Sequence, residues 1–201
     1  MPRVTPEHRA ARREQILAAA IGCVAREGFH KTTMAHVIEA SGLSAGAVYG
    51  YFDGKPALIR AIAERAVGSL GETLADIADG SDPVTVPGAL RALLERVEQL
   101  ADETGGAFPK VAVHAWSEAT RDEEVAAVVR ENIDRVHAVW VRVLDRAVAD
   151  GGLAPGHDHP AMARALLSLM PGFLLQGRIF GMVDLETYLR GCTELLGATS
   201  R

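Results

Sequence analysis

The chain has 201 residues, 48% apolar and only 5% aromatic, with 21 Lys and Arg against 26 Asp and Glu. That is enough apolar material for a sizeable core, and it excludes a disordered, highly charged chain. The sequence lacks the long apolar run that a membrane-spanning helix needs, and its opening MPRVTPEHRAARREQ lacks the apolar segment of a secretory leader, so a cytoplasmic location is expected.

Abundant Ala, Leu, Arg, Glu and Val with few aromatics favour helices over strands. Residues 1–65 carry nine Lys or Arg against six Asp or Glu, whereas residues 66–201 carry twelve against twenty. A basic front on an acidic body points to a polyanion met only by the front. Cys23 and Cys192, the only cysteines, form neither a disulfide framework nor a zinc site, and are expected to be reduced packing residues.

Residues 1–8, with two prolines and no apolar period, read as loose. A first helix is expected from about Arg9 to Glu27, with Ile16, Leu17, Ala20 and Val24 on one face and Gly28 as its stop. Thr33 is placed to cap a short second helix, with Met34, Val37 and Ile38 inward, ended by Gly42. Ser44 is placed to cap a third from Ala45 to about Tyr51, with Val48 and Phe52 inward. Asp53 to Pro56 is a turn, Asp53 a possible cap and Pro56 suited to the first turn of a long helix reaching Asp79. The stretch Gly80 to Gly88 reads as a linker. Five helices follow, at about 86–103, 107–120, 122–150, 159–182 and 185–198. The most regular carries Val125, Val129, Ile133, Val136, Trp140, Val143, Leu144 and Ala147 at helical spacing. Pro171-Gly172 should kink the next. No period-2 alternation is long enough for a sheet.

Residues 33–52 have the grammar of a helix-turn-helix. Gly42 allows a left-handed turn, Leu43 plugs the corner, and Ser44 starts a helix small enough to enter a major groove. A small helical bundle with no nucleic-acid role would show the same grammar. The run Thr32-Thr33-x-x-x-Val37-Ile38-x-x-Ser41-Gly42-Leu43-Ser44-Ala45-Gly46-Ala47-Val48-Tyr49-Gly50-Tyr51-Phe52-x-x-Lys55-x-x-Leu58 resembles the N-terminal signature of the TetR family of repressors over about residues 12–60. From Pro160 to Leu196 the chain still looks like the last two helices of that family.

The resemblance implies an all-α protein of about nine helices. A helix-turn-helix DNA-binding domain, residues 1–55, joins through a long helix to a ligand-binding and dimerisation domain, residues 56–201. It implies a homodimer on double-stranded, palindromic operator DNA, released by a small-molecule effector that the sequence does not identify, with no cofactor, no metal and no membrane partner. Thr33 and Ser44 would contact phosphate, Tyr49 and Tyr51 the backbone or base edges, and Lys55 a phosphate, while Ala45 and Gly46 would allow close approach. Two departures stand out. Ala45 occupies a position where relatives often carry Lys, and Ala35 one where they often carry Arg. Ser44 to Tyr51 therefore holds no Arg, Lys, Asn or Gln, the types that read guanine or adenine bidentately. Specificity is expected from tyrosine hydroxyls, methyl contacts from Ala45 and Ala47, and DNA shape. His36 either adds a polar contact or faces solvent. Arg3, Arg9, Arg12 and Arg13 form a basic arm, reaching phosphates or a groove, or simply solvated.

In the C-terminal part, Phe108, His114, Trp116, His137, Trp140, Phe173 and Gln176 are candidates to line a ligand cavity, each with core packing as its plain alternative. For His114 and His137 that alternative is a hydrogen bond to a core carbonyl or carboxylate. Ala161, Ala165, Ser168, Gly172 and Leu175, with Tyr188, Cys192, Leu195 and Leu196, suit a four-helix bundle across a two-fold axis. His157-Asp158-His159 lacks a third ligand at metal spacing, and Asp158 or His159 should instead cap the helix begun by Pro160. The sequence contains no nucleophile elbow, phosphate-binding glycine loop or HExxH, so no enzyme is expected. The rival is a helical binding or scaffold protein that has lost DNA binding.

Overall fold

In the computed structural model, which describes residues 5–198, every element is helical, and no helix among the described residues is long and apolar enough to cross a membrane. Helices α1 (Pro6–Lys31), α2 (Met34–Ser41), α3 (Ala45–Tyr49), α4 (Lys55–Asp79), α5 (Val86–Glu103), α6 (Ala107–Glu118), α7 (Glu123–Ala149), α8 (His159–Phe173) and α9 (Leu185–Ala198) follow in order. A six-residue π-helical turn, Leu174–Ile179, continues α8. The chain forms two compact units. One runs up to Arg65 and takes in Lys110–Val129; the other comprises Ala66–Pro109 and Arg130 onward.

In the first unit α1 begins three residues earlier than its apolar period suggests. The Thr5 side chain accepts from the His8 amide, and Pro6 sits where a missing N–H costs nothing. Arg9, Arg12 and Arg13 thus belong to a helix rather than to a loose arm, while Arg3 lies outside the described residues. Gly28 interrupts α1 at φ +77°, and its carbonyl takes both the amide and the hydroxyl of buried Thr32. The core gathers Ile16, Leu17, Ala20 and Val24 of α1, Val37 of α2, Val48 and Phe52, Leu58, Ala61 and Ile62 of α4, and Val111 of α6. This packing of α6 draws residues 110–129 into the first unit, so the grouping is not one cut after residue 55.

The second unit is built on α5, whose Leu90, Leu93, Leu94, Val97 and Ala101 are all essentially inaccessible. The expected linker is short and held down. Thr85 caps α5, the Val84 amide donates to Asp150 at 2.9 Å, and Arg146 donates to Gly80 O and to Asp150. The Val84 N–H first, then Arg146, holds the Asp150 carboxyl below its ordinary range.

On α7 the inward position between Val128 and Val136 belongs to Asn132, 6% exposed, while Ile133 is 41% exposed. Both positions fit a helical spacing; apolar character favours Ile133 in the sequence, and the packing turns Asn132 inward instead. Asp158 caps α8, accepting from the Ala161 amide, and His159 Nδ1 lies 2.6 Å from Asp145, so the His-Asp-His run fastens α8 to α7. Where a kink is expected, Pro171 lies inside α8 and the ladder widens just beyond it, as in Phe180 N–H to Leu175 O.

Candidate nucleic-acid interface

Thr33 and Ser44 cap α2 and α3. Their hydroxyl oxygens accept from the His36 and Ala47 amides, each at 3.3 Å. Gly42 makes the turn at φ +66° and ψ +16°, a conformation open to glycine at little cost. The corner is locked from beneath. Gln15 Nε2 of α1 donates to Ser41 O at 2.8 Å, and the buried Ser41 hydroxyl donates to Ile38 O and accepts from the Leu43 amide.

A five-residue helix cannot stand alone, since nucleation costs more than so few hydrogen bonds return. α3 is held by Val48, inaccessible to solvent, and by the Phe52 that follows it. One face is thereby anchored and the other left bare: Ser44, Ala45, Gly46, Tyr49 and Gly50 are all exposed. Tyr49 projects most, at 49% exposure among otherwise small side chains. Among the described residues, a Cβ added at Gly46 would meet no atom within 4 Å.

Cations stand at the far end of α3. The Arg9 guanidinium lies 6.0 Å from the centre of the half-buried Tyr51 ring, and that of Arg13 lies 5.5 Å from Phe52. Lys55 Nζ donates to His30 O at 3.4 Å. The exposed His36 faces Glu27 at 3.2 Å. The seven residues read from the sequence as DNA contacts, Thr33, Ser44, Ala45, Gly46, Tyr49, Tyr51 and Lys55, therefore fall within one unit, the first five exposed and the last two half-buried. Gln15, which fixes the turn, was not singled out; it lies 26 residues from its acceptor, and no local pattern announces the bond.

The residues singled out for a ligand divide differently. His114 and Trp116 lie in the first unit, Phe108, His137, Trp140, Phe173 and Gln176 in the second. His114 packs on the break in α1, where a Cβ added at Gly28 would lie 3.2 Å from its Nδ1. His137 Nε2 is 3.0 Å from Pro160 O, and Gln176 is exposed on the π-helical turn.

Of the interface candidates, Ala161, Ala165, Ser168 and Leu195 are exposed, while Gly172, Leu175 and Tyr188 are half-buried. Tyr188 is engaged within the chain. Its hydroxyl donates to Leu169 O at 2.8 Å over Gly172, where a Cβ would lie 2.6 Å from the Tyr188 hydroxyl oxygen. Cys192 is buried, which raises its thiol pKa and keeps it unreactive. With Met162, Ala165, Leu166, Leu169, Leu195 and Leu196 it lines an apolar groove between α8 and α9.

These features match known regulators over most of the chain. Residues 16–62 match the bacterial regulatory proteins of the tetR family, and residues 88–199 match the BetI-type transcriptional repressor C-terminal domain. The HTH-type transcriptional regulator YfiR of Bacillus subtilis is 27% identical over 179 residues, 89% of this chain and 86% of that protein. Salmonella enterica GusR superposes with a TM-score of 0.78 at 26% identity, covering 96% of this chain and 97% of its own. A SmeT–triclosan complex superposes with a TM-score of 0.73 at 23% identity, covering 84% of this chain and 81% of the other. The chain belongs to the TetR family of helix-turn-helix transcriptional regulators, a non-enzymatic family, and carries a BetI-type C-terminal domain.

Proposed function

We propose that this protein is a repressor that binds a palindromic operator as a cytoplasmic homodimer and leaves it when a small molecule enters the C-terminal unit. The observation that carries the DNA-binding half is the bare face of α3. Its inward side is fixed by Val48, its turn is locked by Gln15 and Ser41, and its outward residues Ser44, Ala45, Gly46 and Tyr49 are exposed.

On a duplex, Thr33 and Ser44 stand at helix N-termini, where free amides and partial positive charge favour a phosphate. Lys55 pairs with another phosphate. Tyr49 reaches base edges, Tyr51 the backbone, and Ala45 and Ala47 offer methyl groups to thymine. With no bidentate reader on α3, sequence choice falls to these weaker contacts and to groove shape. Arg9, Arg12 and Arg13 add sequence-independent attraction, which salt weakens.

The apolar α8–α9 groove, with Leu195 72% exposed beside it, supports pairing with a second copy. A two-fold dimer presents two recognition helices about one DNA turn apart, roughly 34–36 Å. Helices α4, α6 and α7 each run from one unit into the other, so a ligand that favours one arrangement of the second unit can act on the first through continuous helix. SmeT, of the same fold, is known in complex with triclosan, which supports a small molecule as the signal.

The test is selection of bound fragments from a random DNA pool, then titration with candidate effectors. Repressor action predicts a palindromic consensus, and an effector that weakens DNA binding must itself bind more weakly, by the same factor, in the presence of operator. The absence of Arg, Lys, Asn and Gln from α3 favours one rival, a small-molecule-binding protein of this fold without an operator. It predicts no enriched sequence and no shift with the chain's own upstream region.

A further inference from the structure

The interior of the C-terminal unit has a chemistry that narrows its ligand. Among the described residues no Asp, Glu, Lys, Arg or His is buried, and the only buried polar residue of that unit is Asn132. Amid this apolar matter sits Trp140, wholly inaccessible, flanked along α7 by Val136, Val143, Leu144 and Ala147. Its Nε1–H is enclosed and has no acceptor in the protein.

An indole N–H can only donate, and a buried donor left unmatched is costly. The same unit satisfies its other amphipathic ring, since the Tyr188 hydroxyl finds Leu169 O. A phenylalanine at 140 would fill most of the volume without stranding a donor. A buried polar group with no partner therefore calls for a partner from outside the chain.

We infer that the effector is a neutral, mainly apolar molecule whose single compact oxygen acceptor, a ketone, ester or ether, receives the Trp140 Nε1–H. The inference rests on the reading that the C-terminal unit takes a small effector, and it names that effector's class. A carboxylate or an ammonium entering this interior would give up its hydration with no buried counter-charge to replace it. A polyhydroxylated molecule would bring more donors and acceptors than the interior can match. One acceptor facing the Trp140 donor, with the rest mainly hydrocarbon, fits the apolar surroundings of that ring.

The test uses the full-length protein labelled with 15N at its two indoles. Whichever of Trp140→Phe and Trp116→Phe folds assigns the signals by the one it removes. The probes are propiophenone, its hydrocarbon counterpart propylbenzene, 3-phenylpropionate and phenyltrimethylammonium. Propiophenone is expected to move the Trp140 indole proton downfield and to bind about tenfold more tightly than propylbenzene, the worth of one hydrogen bond. That preference should vanish in Trp140→Phe. Both charged probes should bind at least about a hundredfold more weakly than the ketone.

The inference is overturned if the ketone shows no saturable binding, if the Trp140 signal stays still while it binds, or if the hydrocarbon or a charged probe binds equally well. A Trp140 indole already bonded to water in the free protein and unmoved by the ketone overturns it too. These failures are separate from failure of the effector reading itself, in which no compound of a broad metabolite panel changes operator affinity.

Discussion

The two units of this chain put polar chemistry in opposite places. In the first, the helix ends are worked out locally: Thr5, Thr33 and Ser44 each cap the helix they precede, and Gly28 and Gly42 each take a positive φ at a helix end or break, while Gln15 on Ser41 and Lys55 on His30 add two distant ties. In the second, many polar contacts join residues distant in sequence. Val84 meets Asp150, Arg91 meets Glu186, Arg178 meets Glu98 and Asp102, and Tyr188 meets Leu169. The lesson is that the helix ends that shape the α3 surface are written in short-range code, and a single distant bond, Gln15 to Ser41, locks the turn between them. The second unit is tied together largely by contacts between residues far apart in the chain.

The sharpest way to break the comparison is to empty each core in turn. Leu17 and Leu94 are fully inaccessible, one in each unit. Leu17→Ala and Leu94→Ala should each cost about 2–5 kcal/mol, the transfer loss plus the cavity left behind. Urea unfolding followed by circular dichroism measures the loss, and sedimentation measures assembly. Leu17→Ala should weaken operator binding while leaving the dimer constant intact, and Leu94→Ala should loosen the dimer as well. If Leu17→Ala dissociates the dimer, the units do not divide the work as described.

A smaller effect is expected at the break in α1. Gly28→Ala places a Cβ on a backbone at φ +77° and within 3.2 Å of His114 Nδ1. Backbone strain of this kind costs about 1–3 kcal/mol, and the ring contact adds to it. A cycle with His114→Ala separates the parts, because the backbone share persists and the steric share is relieved. Thermal denaturation of the four proteins gives both. A loss wholly rescued by His114→Ala would mean that the φ at 28 relaxes freely.

This contrast also explains what the sequence could disclose. The order of the nine helices among the described residues, the two caps and the left-handed Gly42 were legible because each depends on residues at most four apart, the reach of a helical turn. The family signature then attached roles to Thr33, Ser44 and Tyr49. The lock of Gln15 on Ser41, the tie from Val84 to Asp150 and the separation of His114 from His137 were not legible. Each is decided by which helices pack together, and no spacing along the chain encodes that. Asn132 was missed for a different reason. Asn132 and Ile133 both fit a helical spacing, apolarity favoured Ile133, and the packing placed Asn132 inward instead.

Ser44 allows the cap to be separated from the proposed phosphate contact. Ser44→Ala should cost about 1 kcal/mol of stability by removing the acceptor for the Ala47 amide. Ser44→Asp should restore the cap, since aspartate caps as well as serine, and place a negative charge where a phosphate would come. Stability and operator affinity should therefore part company. Alanine lowers both modestly, whereas aspartate keeps stability and lowers affinity further, most of all at low salt. Calorimetry and a binding titration at two salt concentrations measure the pair. If aspartate binds operator as well as serine does, Ser44 is a cap and nothing more.

The smallest change in stability, and the opposite sign, is expected at Gly46. A glycine inside a helix costs up to about 1 kcal/mol relative to alanine, and here no atom of the described residues lies within 4 Å of the place a Cβ would occupy. The free protein gains nothing from glycine at this position, so Gly46→Ala should raise the melting temperature slightly. If the bare face of α3 lies against base edges, the added methyl group meets the duplex instead, and operator affinity should fall while stability rises. Gly46→Val enlarges the obstruction and should deepen the loss of affinity, with less gain in stability because a β-branched side chain suits a helix poorly. A variant that is both more stable and fully able to bind would show that α3 stands off from the groove floor, with recognition resting on Tyr49 and the flanking cations.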